Sequence, residues 1–588
     1  MKTNSGFVIA VVIAMTCVSS CLAQDFFTDA NARIEQHRKS DIAVSVVDTD
    51  GNPVSGATIN VDMKRHEFLW GTAVHAYRIN SSDATNEIYK SKVLENFNAA
   101  VIENALKWPA WEGAWGSNFG WHQAEPALDW IDANGLATRG HYAAWATLSG
   151  IDGYGPDNDD TNIIPDTLFP HITDKLQTVG ERITEWDVIN HPVGWGPTTY
   201  EDIFGLSFYS HIVNHTRAIA PAGTTLFINE DDCLTGSPTS DHYAQIIEYL
   251  IDNNATPDGI GFQSHFKSSW NRNHPNTHEI IYQQLERFSN LVPNLLITEF
   301  DVDVGVFDDN NNLLSYDQAE HAQRVNDYLI SAFSHPNLQG VYMWGFWEGA
   351  HWLPEAALYN QDWSERPALH AYQNLVFDQW WTNESGTSNS QGQYNLRGFK
   401  GDYDITVEHA GVTYVQTFNT NTGNIVFEVP ATNTTEVSVP DVINIFRGLV
   451  VSGDVSSVTS SDNNYVSYNP GFTLNVNEFP VWIVFGGAMS TADPSTFEVS
   501  VESNANTPGI SKSIEAFNYL TGQYEFVSQD NESFNSDSVV TVDLSGDVDK
   551  YLSGDTGYVS LRCGWKQTGF TILFPWTASI DHVQWVAE

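Results

Sequence analysis

Two short apolar segments of the chain each end in a side chain that can donate or accept a proton. Glu185-Trp186-Asp187-Val188-Ile189-Asn190 is followed by His191, and Leu296-Ile297-Thr298 is followed by Glu299. Both segments have the apolar composition of buried strands. Two such groups facing one sugar could cleave a glycosidic bond, because one side chain attacks or stabilises the cationic centre while the other protonates the departing oxygen. The histidine stands where a carboxylic acid would be expected for that chemistry.

The charge and the aromatic content of the chain indicate which kinds of molecule it can bind. The 588-residue chain carries 73 acidic and 26 basic residues, which gives a formal charge of -47. Contacts to phosphate require clustered Lys and Arg, so this composition excludes nucleic acid and anionic membrane surfaces as partners. Aromatic residues make up 13% of the chain and include 20 Trp. Apolar faces of sugar rings stack on such side chains, so we expect a polysaccharide partner, although many of these Trp residues could equally belong to the core.

The first residues have the pattern of an export signal. Lys2 supplies a positive charge, Phe7–Val18 is apolar, and small residues precede Gln24. We interpret residues 1–23 as a signal peptide. The alternative is a lipoprotein signal, cleaved so that Cys21 carries the lipid anchor. The apolar run is too short to remain as a membrane span, and no later segment is long enough for one. The prediction is a protein secreted to the periplasm or the extracellular space.

From residue 66 onward, short apolar runs alternate with amphipathic stretches. Eight such runs within about three hundred residues are typical of a (β/α)8 TIM barrel, an α/β fold whose active site lies at the carboxyl ends of the strands. The barrel is predicted to span residues 66–379. Its helices include Ala127–Asn134, Tyr243–Asn253 and Asp317–Phe333. The predicted strands are Phe68–Val74, Ala99–Glu103, Ala137–His141, Glu185–Asn190, Thr225–Asn229, Gly259–Ser264, Leu295–Glu299 and Gly340–Gly345.

Two β-rich regions flank the predicted barrel. Ile42 to Asp62 alternates apolar and polar residues around the turn Asp50-Gly51-Asn52-Pro53, which predicts a β-hairpin within an N-terminal extension of residues 24–65. Residues 380–430 are predicted to form a small β extension whose strands pack against this hairpin. Residues 437–588 contain short apolar runs typical of strands throughout, and the region is long enough for a β-sandwich.

The chain offers little for a disulfide framework, a metal ion or a cofactor. After removal of the leader, Cys233 and Cys563 remain, and they fall in different predicted domains. No His/Asp/Glu cluster has metal-ligand spacing, and no Gly-rich phosphate loop follows a strand. Asp157, Asp159 and Asp160 could bind calcium, but a solvated loop explains such a run equally simply in an acidic chain. We therefore expect no cofactor, no metal and a monomeric protein.

Five short motifs, in order and at barrel-like spacing, resemble those of glycoside hydrolase family 10, whose best-known members are retaining endo-β-1,4-xylanases. The resemblance covers roughly Arg65 to Tyr372. The motifs are Glu103-Asn104-Ala105-Leu106-Lys107-Trp108, Arg139-Gly140-His141 with Trp145, Gly259-Ile260-Gly261-Phe262-Gln263-Ser264-His265, Ile297-Thr298-Glu299, and Trp344-Gly345 with Trp352.

The resemblance implies a nucleophile at Glu299 and a substrate cleft around it. In this family the Gln of the strand-six motif, here Gln263, contacts sugar, and its His, here His265, orients the nucleophile. Trp344 and Trp352 correspond to the aromatic wall of the cleft. The implied substrate-binding residues are Glu103, Asn104, Lys107, His141, Trp145, Asn190, Gln263, His265, Trp344 and Trp352.

The residue after Asn190 departs from the family, which places its general acid/base Glu there, whereas this chain has His191. The imidazole could itself be the acid/base. Opposite charges about 5.5 Å apart at an effective dielectric near 20 interact by roughly 3 kcal/mol, so ionised Glu299 would hold the ring protonated. An ester at Glu299 removes that charge, and the neutral ring could then activate water. Alternatively another acid supplies the proton, the candidates being Glu230, Asp231, Asp232 and Glu348.

These observations predict a secreted retaining glycoside hydrolase that cleaves internal β-1,4 linkages of a polysaccharide, with xylan as the expected substrate. Two alternatives stay open: a barrel that has lost activity and binds carbohydrate, and a hydrolase of the same fold acting on another polysaccharide. Ala146, where the family often has His, and the Trp-rich insertion Trp108–Trp121 are further departures that concern the identity of the sugar.

Overall fold

The structure is a computed structural model that describes residues 26–147, 164–194, 198–267, 277–308, 313–431, 435–475, 477–491, 494–554, 556–569 and 574–588. The predicted leader with Cys21, and the acidic run of Asp157, Asp159 and Asp160, lie outside these residues. The chain divides into two compact units, Met1–Val429 and Pro430–Glu588. Among the described residues, no helix is both long enough and apolar enough to cross a membrane.

Eight parallel strands form the ring of the first unit. In chain order we refer to them as barrel strands one to eight: Leu69–Val74, Ala99–Ile102, Ala137–Arg139, Glu185–Asn190, Thr225–Glu230, Gly259–Phe262, Leu295–Val302 and Leu338–Met343. Hydrogen-bonded pairing runs from strand three through two, one, eight, seven, six and five to four. The predicted (β/α)8 barrel is confirmed, with strand ends that differ from the predicted ones by a few residues at most.

Strands three and four close the ring. The N–H of Gly140 donates to the carbonyl of Glu185 at 2.7 Å, and the N–H of Asp187 donates to the carbonyl of Gly140 at 2.9 Å. A side chain at Gly140 would overlap the indole of Trp186, whose nearest atom would lie 2.3 Å from a Cβ. The buried Arg139 guanidinium donates to both oxygens of Asp187, at 2.8 and 2.5 Å, and so ties the same two strands together.

Helices surround the ring, and several begin at side chains that accept the first free N–H groups. Asp83, Ser237 and Asp317 are such caps, and Thr199 forms a capping box with Asp202. The helices are 26–37, Ala76–Ile79, Ala84–Asn96, Trp108–Trp111, Trp121–Ala133, Ile164–Val179, Tyr200–Phe204, Ser207–Ile219, Pro238–Asp252, Thr277–Ser289, Gln318–Ser334 and Pro367–Asn374, with a π-helical turn Leu375–Gln379 and 3-10 turns Gly180–Arg182 and Pro354–Ala356.

The predicted hairpin between Ile42 and Asp62 is wrong. Its two strands, Lys39–Asp48 and Thr58–His66, exist but belong to different sheets. The first pairs with 393–399 and 425–429, and the second pairs with 383–387 and 401–409. One sheet contains Lys39–Asp48, Gln393–Phe399 and Ile425–Val429. The other contains Asn383–Thr387, Thr58–His66, Gly401–His409 and Val412–Asn419. The two flanking regions thus form one small pair of sheets whose apolar faces join the same core as the barrel.

The second unit consists of two antiparallel sheets around a separate core. One sheet contains Glu436–Ser438, Leu449–Ser452, Val466–Asn469, Phe497–Ala505, Ser538–Asp543 and Ala578–Ala587; the other contains Val442–Arg447, Val481–Ala488, Ile510–Asn518, Gln523–Asn531 and Tyr558–Gln567. Short helical turns lie in the connections between strands, at Val455–Val458, Ser545–Asp547 and Val548–Tyr551. Alternate inward side chains such as Val499, Val501 and Trp585 are fully buried, as a sandwich requires.

Short strands complete the loops of the barrel: Ala144–Trp145, His265–Phe266, Gly305–Phe307 and Leu313–Tyr316. The cysteines, Cys233 and Cys563, are buried, are not disulfide-bonded and belong to different units.

Candidate active site

Every barrel strand delivers a polar or aromatic side chain at or just beyond its carboxyl end. Parallel strands of a closed barrel share that end, so these side chains face one region above the ring. In strand order they are His75, Glu103, His141, Asn190 with His191, Asn229 with Glu230, Gln263 with His265, Glu299 with Asp301, and Trp344.

Glu299 lies at the centre of this set and is buried. Its Oε1 accepts a hydrogen bond from the Asn229 amide at 2.9 Å, and its Oε2 lies 3.4 Å from Nε2 of His265. Burial alone would raise the pKa of Glu299. His141, His265 and Lys107 outweigh that effect and hold the pKa below its ordinary value. These neighbours thereby favour the ionised carboxylate, the form in which a nucleophile would react.

His265 is held between two carboxylates. Its Nδ1 lies 3.0 Å from Oδ1 of Asp301, while its Nε2 faces Glu299. Burial alone would lower the pKa of His265, but Asp301 and Glu299 raise it well above the ordinary range. Trp352 donates its indole N–H to the other oxygen of Asp301 at 2.7 Å. The aromatic wall residue is therefore joined to the nucleophile through two intervening side chains.

His191 is paired with a buried acid. Its Nδ1 lies 2.8 Å from Oε1 of Glu230, and the ring packs against Trp145 with centroids 4.5 Å apart. Glu230 also accepts backbone N–H bonds from Val193 at 2.7 Å and Asp231 at 2.8 Å. The backbone of His191 has φ of 55°, a left-handed conformation that interrupts the extended backbone directly after the strand. Nδ1 is paired with Glu230, and Nε2 lies 3.0 Å from the Gln263 amide nitrogen.

A chain of amides connects the two candidate catalytic groups. The Asn229 amide donates to Glu299 at 2.9 Å and to Oδ1 of Asn190 at 2.9 Å. The Gln263 amide nitrogen lies 3.1 Å from the same Asn190 oxygen and 3.0 Å from Nε2 of His191. When His191 is neutral, Nε2 accepts from this amide. A protonated ring requires either the amide oxygen or another acceptor at that place.

A second acid, Glu103, lies at the carboxyl end of strand two. Glu103 is 2.9 Å from Nε2 of His75, and the charged group of Lys107 lies nearby. Burial opposes the ionised state, but His75 first and then Lys107 lower the pKa of Glu103 to about 2. The Asn104 side chain also bonds to this carboxylate. This group presents ionised and amide groups to a polar ligand such as a sugar hydroxyl.

Aromatic rings border the polar set. Trp344 packs edge-on against His141 at 5.0 Å, and the Lys107 ammonium lies 5.8 Å from its ring centroid. Trp352 is 41% exposed, so one of its faces is open to a ligand. In the Trp-rich insertion, the ring of Trp108 stacks on His171 at 3.6 Å, so this residue supports the neighbouring helix. At Trp108, therefore, the insertion contributes to packing.

The other predicted proton donors are engaged elsewhere. Glu348 pairs with Arg366 at 3.0 Å and accepts the N–H of Gln361 at 2.8 Å. Asp232 accepts the Thr235 hydroxyl at 2.8 Å. Glu230 contacts His191 and backbone donors, so its carboxylate is placed to orient the imidazole.

Three residues of the site were missed by sequence reasoning. Asn229 is the penultimate residue of strand five and is paired with Asn190 at the end of strand four. Asp301 follows Glu299 by two residues and so projects from the same face of its strand, which the two-residue periodicity could have indicated. His75 directly follows strand one, and its partner Glu103 follows strand two.

Comparison with known proteins bears on the first unit. Residues 60–375 match the sequence profile of Glycosyl hydrolase family 10. The anti-sigma-I factor RsgI6 of Acetivibrio thermocellus is 28% identical over 401 residues, which cover 67% of this chain and 48% of that protein. Endo-1,4-beta-xylanase 1 of Arabidopsis thaliana is 26% identical over 395 residues, covering 65% of this chain and 39% of that protein. The chain thus spans less than half the length of these relatives.

Xylanase 10B of Thermotoga petrophila, solved with xylobiose, superposes on 53% of this chain and 95% of its own, at 19% identity and a TM-score of 0.45. Endo-1,4-beta-xylanase 1 of Humicola insolens is 24% identical over 339 residues, covering 55% of this chain and 75% of that protein.

Proposed function

The chain belongs to glycoside hydrolase family 10, and from that premise we propose that it is a retaining endo-β-1,4-glycanase of the xylanase type. Glu299 is its nucleophile and His191 is its general acid/base. The observation that carries the proposal is the pairing of His191 with the buried carboxylate of Glu230, at 2.8 Å, across the cleft from a nucleophile kept ionised by its neighbours. A histidine without such a partner would fit equally well in an inactive site.

The first step forms an ester. The Glu299 carboxylate attacks the anomeric carbon, and the bond from that carbon to the leaving oxygen breaks. Protonated His191 gives its Nε2 proton to this oxygen, and the Glu230 carboxylate stabilises the charged ring from the Nδ1 side before donation. The negative charge of Glu299 is consumed in the ester, so the neutral imidazole left behind no longer faces an anion across the cleft.

The second step releases the sugar. Neutral His191 accepts a proton at Nε2 from a water molecule, whose oxygen attacks the anomeric carbon. The ester bond breaks, and the electron pair returns to Glu299. The Gln263 amide adjoins Nε2 and can accept from the protonated ring through its oxygen or donate to the neutral ring through its nitrogen. The same amide therefore suits both stages of the cycle.

The proposed substrate is a β-1,4-linked polysaccharide, with xylan first. Support comes from the family and from the arrangement of Glu103, Lys107 and Asn190, which offer charged and amide groups to sugar hydroxyls beside the wall residues Trp344 and Trp352. The test is release of reducing sugar from a panel of xylan, mixed-linkage glucan, mannan and charged algal polysaccharides. Activity on xylan supports the proposal, whereas activity on another backbone alone supports a hydrolase of different specificity.

One feature favours a second candidate. In the structure Nε2 of His191 is already engaged by the Gln263 amide at 3.0 Å, as a residue with a purely structural role would be. A barrel that binds sugar without cleaving it would release no reducing sugar from any member of the panel, yet would still be retarded in gels that contain its ligand.

We also propose that the enzyme acts outside the cytoplasm. The charged, apolar and small segments of residues 1–23 support this. Mass spectrometry of the chain recovered from culture medium or periplasm should show that it begins near Gln24. A mature chain that begins at a lipid-modified Cys21 would indicate anchoring to a membrane instead.

A further inference from the structure

Three acidic side chains converge on one sheet of the C-terminal sandwich, which is far along the chain from the family 10 region. One oxygen each of Glu502, Asp537 and Asp581 lies within 4.8 Å of the others. Glu502 and Asp581 are on the paired strands Phe497–Ala505 and Ala578–Ala587. Asp537 directly precedes Ser538–Asp543, which pairs with the other edge of the Glu502 strand. Three neighbouring strands therefore each direct a carboxylate to the same place.

A break in strand pairing brings Asp581 to this place. Along the two strands, Glu502 is paired with His582, and the next residue, Ser503, is paired with Ile580. Asp581 thus has no partner in the register and forms a β-bulge. The regular alternation is interrupted there, since both Ile580 and Asp581 are buried. Bulges re-aim individual side chains, and this one turns a carboxylate towards Glu502 that regular pairing would have placed on the other face.

One oxygen of the buried Asp581 carboxylate has no hydrogen-bond partner among the described residues. The residue is 1% exposed, and the oxygen without a partner is Oδ1. An unpaired buried carboxylate is strongly unfavourable, so a native fold that keeps one implies a missing partner. The side chain is directed at two further acids, and a bound cation would neutralise the negative charge that the three carboxylates concentrate there.

The other buried acid of this unit has a basic neighbour. Glu532 lies 3.8 Å from the Lys512 ammonium, and the half-buried Glu515 bonds to Arg562 at 2.5 Å. No Lys or Arg ion pair involves Glu502, Asp537 or Asp581 in the described part of the chain. Buried Glu532 is thus neutralised by a side chain of the protein, whereas the three-acid cluster is not.

Neighbouring groups hold one of the acids in place. Oδ1 of Asp537 accepts from the Asn504 amide at 2.7 Å, and its Oδ2 accepts from the Tyr465 hydroxyl at 2.7 Å. Each carboxylate oxygen has a second lone pair that these donors leave available. The site is therefore oriented before any ion binds, which favours binding because less order has to be imposed.

We propose that Glu502, Asp537 and Asp581 bind a calcium ion that stabilises the C-terminal sandwich. The ligands are all oxygens, which selects a hard cation. Calcium is bound at about 2.3–2.6 Å, so its ligand oxygens lie up to about 5.2 Å apart, and three oxygens within 4.8 Å of one another can all reach one such ion. Magnesium needs oxygens at about 2.0–2.1 Å in a strict octahedron, which is a smaller cage. Three carboxylates also supply the charge that tight calcium binding requires.

The test compares four forms of the full-length chain after treatment with a chelator: the unchanged protein, Asp581→Asn, Glu502→Gln and Glu498→Gln. Glu498 lies on the same strand as Glu502 but is exposed and outside the cluster, so it is the matched control. Calcium and magnesium are titrated separately by calorimetry, and thermal unfolding is followed with and without calcium.

The unchanged chain and Glu498→Gln should bind one more calcium per chain than Asp581→Asn and Glu502→Gln. Calcium should raise an unfolding temperature of the first two forms and leave that of the last two nearly unchanged. In chelator, Asp581→Asn should unfold at the same or a higher temperature than the unchanged chain, because the substitution removes repulsion between acids. A residue needed only for packing would lower it.

Equal calcium stoichiometry in all four forms would overturn the proposal, as would the absence of binding at millimolar calcium. Tighter binding of magnesium than of calcium would overturn the choice of ion. Sugar release plays no part in these measurements, so their outcome is independent of the proposed glycanase activity.

Discussion

The Nδ1 atom of His191 lies 2.8 Å from Oε1 of Glu230, although the two residues end different barrel strands. A histidine in the acid/base position is thus accompanied by a carboxylate that fixes its tautomer and can stabilise its charged form. The same relationship between imidazole and buried acid orients the general base in serine hydrolases. The proposal that His191 is the acid/base depends on this relationship.

Glu230→Gln should lower turnover of a natural polysaccharide by about 10- to 100-fold, because the amide cannot stabilise the protonated ring as a carboxylate does. The Michaelis constant should change little, since Glu230 is buried and does not face substrate. An aryl glycoside whose leaving group needs no proton should be cleaved at nearly the original rate in its first step. Steady-state kinetics on both substrates check this.

Glu230→Asp is the conservative control, and it should recover part of the lost turnover if the negative charge is what matters. Equal losses on the polysaccharide and on the activated glycoside would indicate a general disturbance of the cleft and would count against a role through His191.

Glu299 should be the residue that becomes covalently linked to sugar. Incubation with a 2-deoxy-2-fluoro glycoside bearing a good leaving group should add the mass of one glycosyl group to the chain. The fluorine slows both steps by destabilising their cationic transition states, and the good leaving group restores the rate of ester formation alone. Peptide mapping should place the added mass on Glu299. A modification at Glu103 or Glu230 would contradict this assignment, and Glu299→Ala should prevent labelling and abolish activity on all substrates.

Trp352 should contribute through both its face and its N–H group. Trp352→Ala should raise the Michaelis constant for long substrates by about 3- to 10-fold, as expected for loss of one aromatic contact. Trp352→Phe keeps a ring but loses the 2.7 Å bond to Asp301, so it should retain substrate affinity and lower turnover. Unchanged kinetics in both variants would place the aromatic wall elsewhere.

The pairing of Glu103 with His75 should make stability depend on pH. The folded-state pKa of Glu103 is about 2 against an ordinary 4.5, so its contribution is present above about pH 4.5 and is lost as pH falls towards 2. Between pH 6 and pH 3 the loss amounts to about 2 kcal/mol of unfolding free energy. Urea unfolding at both values should therefore show a smaller decrease for Glu103→Gln.

Glu87→Gln, which alters an exposed acid, should show the same decrease as the unchanged chain. If Glu103→Gln matches it too, the acid is not held ionised by its neighbours in the way that the structure indicates.

The barrel could be predicted because its signals are local. Each strand is a short apolar run, as at Glu185–Asn190, and the motif residues lie at the strand ends where the fold requires them. The predicted hairpin failed because alternation in Lys39–Asp48 and Thr58–His66 reports burial of one face and does not identify the partner strand. Their partners come from beyond residue 380, and only tertiary packing selects them.

The sequence indicated most of the residues at the strand ends but not the hydrogen bonds and ion pairs between them. Glu230 was considered as a replacement acid, whereas the structure assigns its carboxylate to His191 and backbone donors. Asp301 and Asn229 act through His265 and Glu299, and such intermediate partners carry no motif of their own. The bulge at Asp581 likewise depends on register, which a single strand sequence does not reveal.

The most direct test of the account is the paired kinetics of His191→Ala on xylan and on an activated aryl xylobioside. If His191 is the acid/base, cleavage of xylan should fall by about 10²-fold or more, while formation of the glycosyl-enzyme from the aryl substrate should continue at nearly the original rate. Added azide should accelerate release from that intermediate, because a small anion needs no general base. Xylan cleavage that survives the substitution, or an equal loss on both substrates, would contradict His191 as the acid/base.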